Sequence, residues 1–301
     1  MKTSKTKGLI AAPFTPLKQD GSLNLDIIRD YVAKLKKDRV VGVFVGGTTG
    51  EGMLLDIEER KELAEAWIKY KEQNFKVMIH VGSTSYKQSQ ILAEHAQSIN
   101  ADAIGCMGPM FLKPMDISEL VAYCAEVASA APNIPFYYYH IPGISGINLN
   151  MFEFLKKASI SFNNFAGIKY THDDLMVMIQ CLRYEHGKWD ILHGSDEILL
   201  AGLSIGIEGA IGSTYNYMAA LNHKIMDYFG QGDLEEARAL QLKTVLVIEL
   251  LFRNGGPVSA GKSVMKLIGL DCGPLRLPAR TLSSKGLLNF EKDLKRLGFF
   301  R

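Results

Sequence analysis

The chain has 301 residues, 47% of them hydrophobic and 22% charged, a composition that supplies a large apolar core. Lysine and arginine number 34 against 32 aspartate and glutamate, and no basic run is interleaved with aromatic residues, which argues against a nucleic-acid partner. No window nears 18 uninterrupted apolar residues, which excludes a membrane-spanning helix.

The N-terminal run MKTSKTKGLIAAPFTPL carries lysines before a short apolar stretch, but Pro13 and Pro16 break it before a signal segment is complete, so a cytoplasmic location is expected. The four cysteines, Cys106, Cys124, Cys181 and Cys272, lie far apart with no C-x-x-C pair and read as reduced thiols. The seven histidines show no metal-ligand spacing, so no metal is expected.

In chain order, short apolar or β-branched runs alternate with helical patterns. Strands are predicted at Gly8–Ala12, Val41–Val45, Val77–Val81, Ala103–Met107, Ile134–Tyr139, Phe165–Lys169, Trp189–His193 and Glu208–Ile211. Between them the apolar periodicity predicts helices over Leu25–Lys37, Asp56–Gln73, Lys87–Ile99, Ile117–Ala130, Asn150–Ala158 and Asp173–Tyr184. Asp56 with Glu59, and Asp116 with Glu119, have the spacing of capping boxes. Eight strands alternating with helices predict an α/β fold of the TIM (β/α)8 type over residues 1–230. Helical patterns at Leu234–Arg253, Val258–Ile268 and Lys285–Arg296 predict a three-helix extension, residues 231–301, packed on the barrel. A doubly wound sheet is disfavoured because GLIAAPFTP, after the first strand, is no G-x-G-x-x-G turn.

Chemistry is expected at the carboxyl ends of the strands. The second strand runs into Gly46-Gly47-Thr48-Thr49-Gly50-Glu51, either a flexible turn or a cradle of hydroxyls and N–H groups for a carboxylate. The fifth ends in Tyr137-Tyr138-Tyr139-His140, where alternation puts Tyr137 and Tyr139 on one face; each is either a core aromatic or a proton-passing hydroxyl. His140 is either a support for that tyrosine or a packing residue. The sixth ends in Lys169, and if Phe165, Gly167 and Lys169 face inward, an ammonium sits in an apolar barrel. Burial disfavours the charged form of such a lysine, and a neutral amine attacks a ketone to form a Schiff base. The alternative is an ordinary solvated lysine.

One further motif has a different meaning. Gly256-Pro257-Val258-Ser259-Ala260-Gly261-Lys262-Ser263 fits the phosphate-loop pattern, but a helical pattern precedes it and only 38 residues follow Ser263, so it reads as a chance match with Lys262 on a helix surface.

Taken in order, GGTTGE (46–51), HVGS (80–83), YHIPGISG (139–146), GIK (167–169), GSDE (194–197) and GSTYN (212–216) resemble the dihydrodipicolinate synthase/N-acetylneuraminate lyase family over nearly the whole chain. The resemblance implies a cofactor-free class I aldolase in which Lys169 forms the Schiff base, Tyr139 transfers protons, and Thr48 and Thr49 hold the carboxylate of the pyruvate moiety. Where the synthases carry an arginine this chain has Ile144, which makes no bidentate contact with a carboxylate. Where they carry a relay tyrosine from a neighbouring subunit it has Phe111, which has no hydroxyl. FYYYHIP, MGPMFLKP and GPLRLPA resemble segments of the vertebrate-type sialic acid lyases. That branch implies cleavage of a sialic acid to N-acetylmannosamine and pyruvate, with Thr171, Gly194, Asp196, Glu197 and Ser213 contacting the sugar, and a homotetramer. Capping of the following helix is the other reading of Asp196 and Glu197. Another pyruvate-dependent aldolase of the same family, or a keto-acid-binding sensor barrel, are the competing functions.

Overall fold

The computed structural model describes residues 5–300; Met1–Ser4 of the N-terminal lysine-bearing run and Arg301 lie outside the described residues. Eight parallel strands close on themselves in sequence order: β1 Gly8–Ala11, β2 Gly42–Val45, β3 Lys76–His80, β4 Ala103–Met107, β5 Phe136–His140, β6 Phe165–Tyr170, β7 Asp190–His193 and β8 Gly209–Gly212. Helices surround them: α1 Ile28–Lys37, α2 Ile57–Ile68, α3 Tyr86–Ser98, α4 Ile117–Ser129, the single-turn α5 Pro142–Ser145, α6 Met151–Ser161, α7 Leu175–Arg183, α8 Leu199–Ile205 and α9 Ala219–Gln231. Beyond these come α10 Leu234–Arg253, α11 Gly256–Leu267 and α12 Ser284–Arg296. All eight expected strands form, with no end displaced by more than two residues. α5, α8 and α9 have no counterpart among the expected helices; α5 is a single turn, α8 is two turns long and α9 presents a mixed face, so none leaves a strong period in the sequence.

Pleating sorts the strand residues into two apolar layers. Inside the barrel lie Ile10, Phe44, Met78, Ala103, Met107, Tyr137, Tyr139, Leu192 and Ile211. The alternate residues, among them Leu9, Val43, Val45, Ile104, Phe136, Tyr138 and Ile168, face the helices. Burial on both sides explains why the strands read as continuous apolar runs.

β6 departs from the expected alternation. Its pairing with β5 runs Phe136 to Phe165 and then Tyr137 to Gly167, leaving Ala166 as an extra residue. Phe165 therefore joins the outer layer with Ile168 and Tyr170, not the inner face expected for it, while Ala166 lies inside. The inserted residue restores Lys169 to the inner face opposite Tyr139. Gly167 leaves no alternative at the bend, since a Cβ there would sit 1.8 Å from the carbonyl oxygen of Asp190 on β7.

Helix starts follow local chemistry. Asp56 and Glu59 form the expected capping box on α2. Asp116 caps α4 through the Ser118 and Glu119 N–H groups, but Glu119 reaches the N–H of Met115 instead of Asp116, so only half of that box forms.

After β8, α10 packs along α9, and α11 and α12 pack on α10 through Val247, Ile248, Leu251, Ala260, Val264, Phe290 and Leu294. The octapeptide that fits the phosphate-loop pattern is the start of α11 and follows a 20-residue helix, not a strand. Lys262, expected on a helix surface, is 3% exposed: α11 lies with that face against the barrel mouth, where a carboxylate meets the ammonium. All four cysteines are buried and unpaired. Among the described residues no helix is long and apolar enough to cross a membrane.

Candidate active site

At the carboxyl ends of the strands a cavity of about 590 Å³ opens, and all nine residues expected to act at the site line it: Thr48, Thr49, Tyr139, Lys169, Thr171, Gly194, Asp196, Glu197 and Ser213. They come from five strand ends, which the closed barrel brings to one mouth.

Lys169 and Tyr139 are paired positions on neighbouring strands, so their side chains rise from the same face of the sheet. Lys169 is 5% exposed, and its Nζ lies 3.6 Å from the centroid of the Tyr139 ring and 5.7 Å from that of Phe44. It donates one hydrogen bond, 3.0 Å, to Thr171 Oγ1. The solvated-lysine reading fails here, because strand pleating turns the side chain into the barrel.

The hydroxyl of Tyr139 meets Thr48 Oγ1 at 3.3 Å. Tyr137, on the same inner face, is occupied two residues deeper, donating to Asp190 Oδ2 at 2.9 Å, which also accepts from the N–H of Thr6. The two readings of the tyrosines thus divide between them: Tyr137 is a satisfied core aromatic, and Tyr139 presents its hydroxyl to the cavity. His140 points into the outer layer, its ring centroid 5.1 Å from Tyr170 and 5.5 Å from His172, and so has the packing role.

Beyond the end of β7, Asp196 is buried. Its Oδ2 accepts from the N–H of Thr214 at 2.8 Å and from Thr214 Oγ1 at 2.7 Å, while Oδ1 has no protein partner. It makes no side-chain cap to the helix that follows. Burial raises its carboxyl above the usual range, against the lowering effect of the Thr214 donors. Glu197 stands exposed at the rim, with desolvation by the adjacent wall also raising its carboxyl. Ile144 is half exposed at the mouth and brings no charge, and Phe111 is exposed on the loop after β4, outside the cavity lining.

Two contributions were not foreseen from the sequence. His80, at the end of β3, is buried edge-on against Tyr139 with ring centroids 5.9 Å apart. Its Nδ1 lies 3.1 Å from the Gly46 carbonyl oxygen and 3.4 Å from the Arg60 guanidinium, and Nε2 has no protein partner. Burial, then the nearby Arg60, push its pKa well below the usual value. The segment HVGS contains it, but nothing in those four letters directs the ring inward. The second contribution is an apolar flank from the C-terminal helices, Ile248, Leu251, Phe252, Pro257 and Val258. Helical periodicity identifies these as apolar positions without saying which surface they cover.

An amine buried beside a tyrosine ring, with hydroxyls on one side and acidic groups on the other, suits addition to a carbonyl compound that carries a carboxylate and a hydroxyl-rich chain. Residues 5–297 match the model of the dihydrodipicolinate synthetase family. The chain is 43% identical over 277 residues to an N-acetylneuraminate lyase A of Xenopus laevis, covering 91% of this chain and 90% of that one. It is 40% identical over 299 residues to an N-acetylneuraminate lyase of Homo sapiens, covering 98% and 93% respectively. Among solved structures, a Proteus mirabilis N-acetylneuraminate lyase superposes with a TM-score of 0.95 at 39% identity, over 98% of this chain and 100% of that one.

Proposed function

The chain belongs to the dihydrodipicolinate synthetase family, and from that premise we propose that it is a class I aldolase cleaving N-acetylneuraminate reversibly to N-acetylmannosamine and pyruvate. The observation that carries this reading is the Lys169 amine, buried on the face of Tyr139 and lining the cavity. Identity near 40% over almost the full length to proteins named N-acetylneuraminate lyase supports the substrate.

Lys169 Nζ adds to the C2 ketone of the open-chain sugar, water leaves, and a protonated imine forms. The C3–C4 bond then breaks with its electron pair moving onto C3 and into the iminium, which becomes an enamine. The proton of the C4 hydroxyl passes through the Tyr139 hydroxyl to the substrate carboxylate, held on Thr48 and Thr49. N-acetylmannosamine departs as its aldehyde. The enamine is protonated at C3 and the imine hydrolysed, releasing pyruvate and the free amine. An iminium withdraws electrons far better than a ketone, which is why the covalent step lowers the barrier.

Thr171, Gly194, Asp196, Glu197 and Ser213 are assigned to the sugar chain, where carboxylates and hydroxyls accept and donate along a row of O–H groups. The barrel, residues 1–230, supplies the chemistry, and α10 and α11 of the extension close one flank of the mouth. We assign a homotetramer by analogy with the family. Dihydrodipicolinate synthesis is disfavoured because Ile144 offers no second carboxylate contact.

The test is intact mass after incubation with pyruvate and borohydride, for the wild type and Lys169→Ala, beside an assay of pyruvate release from N-acetylneuraminate. A reduced pyruvyl adduct absent from the variant, together with release from the sugar, is expected. An adduct without release retains the aldolase and removes the sugar assignment; no adduct removes the Schiff base.

A further inference from the structure

The octapeptide that imitates a phosphate loop has a different part in this fold. Its lysine, Lys262, reaches from α11 to the loop after β2, where Nζ lies 2.7 Å from Glu51 Oε1 with the two side chains 2% and 3% exposed. The same ammonium donates to the Pro274 carbonyl at 2.6 Å. The other oxygen of Glu51 accepts from the N–H of Arg276 at 2.8 Å, and the guanidinium of Arg276 pairs in turn with Glu59 on α2 and with the Gly21 carbonyl. Glu51 therefore joins the extension to the barrel by two independent contacts.

Glu51 is also part of the threonine loop itself. Its own N–H donates to the carbonyl of Thr48 at 3.1 Å. Its φ of 54° lies in the left-handed region, which a glutamate rarely adopts and which persists only where the surroundings over-determine it. A buried ion pair is seldom more stabilising than apolar residues of the same volume, because both charges lose their hydration. Burial pushes the Lys262 ammonium down, and Glu51 beside it works against that.

We propose that Glu51 and Lys262 are positioning residues that tie α11 to the loop after β2 and so set the place of Thr48 and Thr49 against the wall formed by Leu251, Pro257 and Val258. The inference rests on the aldolase reading above, because a keto acid whose carboxylate sits on Thr48 and Thr49 is the ligand that senses this spacing. The ammonium takes no part in the chemistry: it is held away from the cavity by Glu51 and Pro274, and Lys262 does not line it.

The experiment compares the full-length wild type with the double variant Glu51→Gln/Lys262→Met, which removes both charges together, and with Glu51→Asp, which keeps the charge but shortens the reach. Three quantities are read: the pyruvate concentration giving half-maximal borohydride trapping, the limiting trapping rate, and the melting temperature. The double variant is expected to melt near the wild type, to need about tenfold more pyruvate, and to keep its limiting rate within about twofold, since Lys169 is untouched. Glu51→Asp is expected to shift the pyruvate requirement in the same direction by about threefold, and it decides the matter if the double variant does not fold. A folded variant that titrates with pyruvate like the wild type, whether or not its melting temperature falls, overturns the proposal. A wild type that traps no pyruvate removes the aldolase reading itself, whereas normal trapping with unchanged variants removes only the role of this pair.

Discussion

The Nζ of Lys169 stands 3.6 Å from the centre of the Tyr139 ring, above paired positions of β6 and β5. The face of an aromatic ring attracts a cation, and the protonated imine of a Schiff-base mechanism is a cation at this same nitrogen. Tyr139 thereby offers two separable things: a ring face for the iminium and a hydroxyl, next to Thr48, for the proton.

Tyr139→Phe keeps the ring and removes the hydroxyl. Trapping of pyruvate by borohydride is expected to survive, while sugar cleavage slows by about 10²–10⁴-fold, the usual range for a lost proton-transfer group. Single-turnover trapping and steady-state pyruvate release on one preparation check it, and equal losses in both would show that the hydroxyl is not confined to the cleavage step.

Asp196→Asn replaces a buried acceptor beyond the end of β7. The amide retains the Thr214 contact but loses the charge of the carboxylate. A hydrogen bond to a charged group is worth about 1.5–3 kcal/mol, so KM for the sugar is expected to rise about tenfold to a hundredfold. Half-saturation by pyruvate, which has no sugar chain, is expected to stay near the wild-type value. A matching rise for both ligands would place Asp196 in general architecture instead.

Gly194→Ala tests the spacing of Thr171. A Cβ at Gly194 would lie 2.0 Å from Thr171 Oγ1, the acceptor of the Lys169 hydrogen bond. Since the backbone closes in there, the threonine must rotate or shift, and catalysis is expected to fall by about 10–10²-fold with a destabilisation of about 1–3 kcal/mol. Denaturant unfolding beside kcat/KM measures both; an undiminished rate would mean that the Thr171 contact does not orient the amine.

The buried histidines predict a pH dependence of stability. Burial lowers His193 to about 4, against about 6.5 for an unfolded histidine. Above pH 6.5 its contribution is complete. Between there and pH 4 the unfolded chain binds a proton that the folded chain does not, so stability falls on acidification, at up to about 1.4 kcal/mol per pH unit. Asp190 and Asp196, whose carboxyls burial raises, act in the opposite direction, because the folded chain holds their protons to higher pH than the unfolded one. Comparing the wild type with His193→Phe isolates the histidine: between pH 7 and pH 5 the wild type should lose more of its melting temperature. Parallel losses would assign the acid sensitivity elsewhere.

Eight apolar runs, alternating with amphipathic segments, determined the barrel from the sequence alone, because a parallel sheet covered on both faces leaves no polar alternation in its strands. The short motifs at the strand ends contain eight of the nine residues that line one cavity, and Thr171, two positions beyond GIK, came only from the family resemblance. What one-dimensional patterns do not carry is registry and docking. The extra residue at Ala166 reverses the face of Phe165 while leaving Lys169 inward, and only the pairing of β5 with β6 decides that. Lys262 shows the same limit at longer range, since charge and helical spacing assign it to water. Its partner, Glu51, lies 211 positions earlier in the chain, and only closure of the barrel and the seating of α11 on its mouth make burial of that charge tolerable.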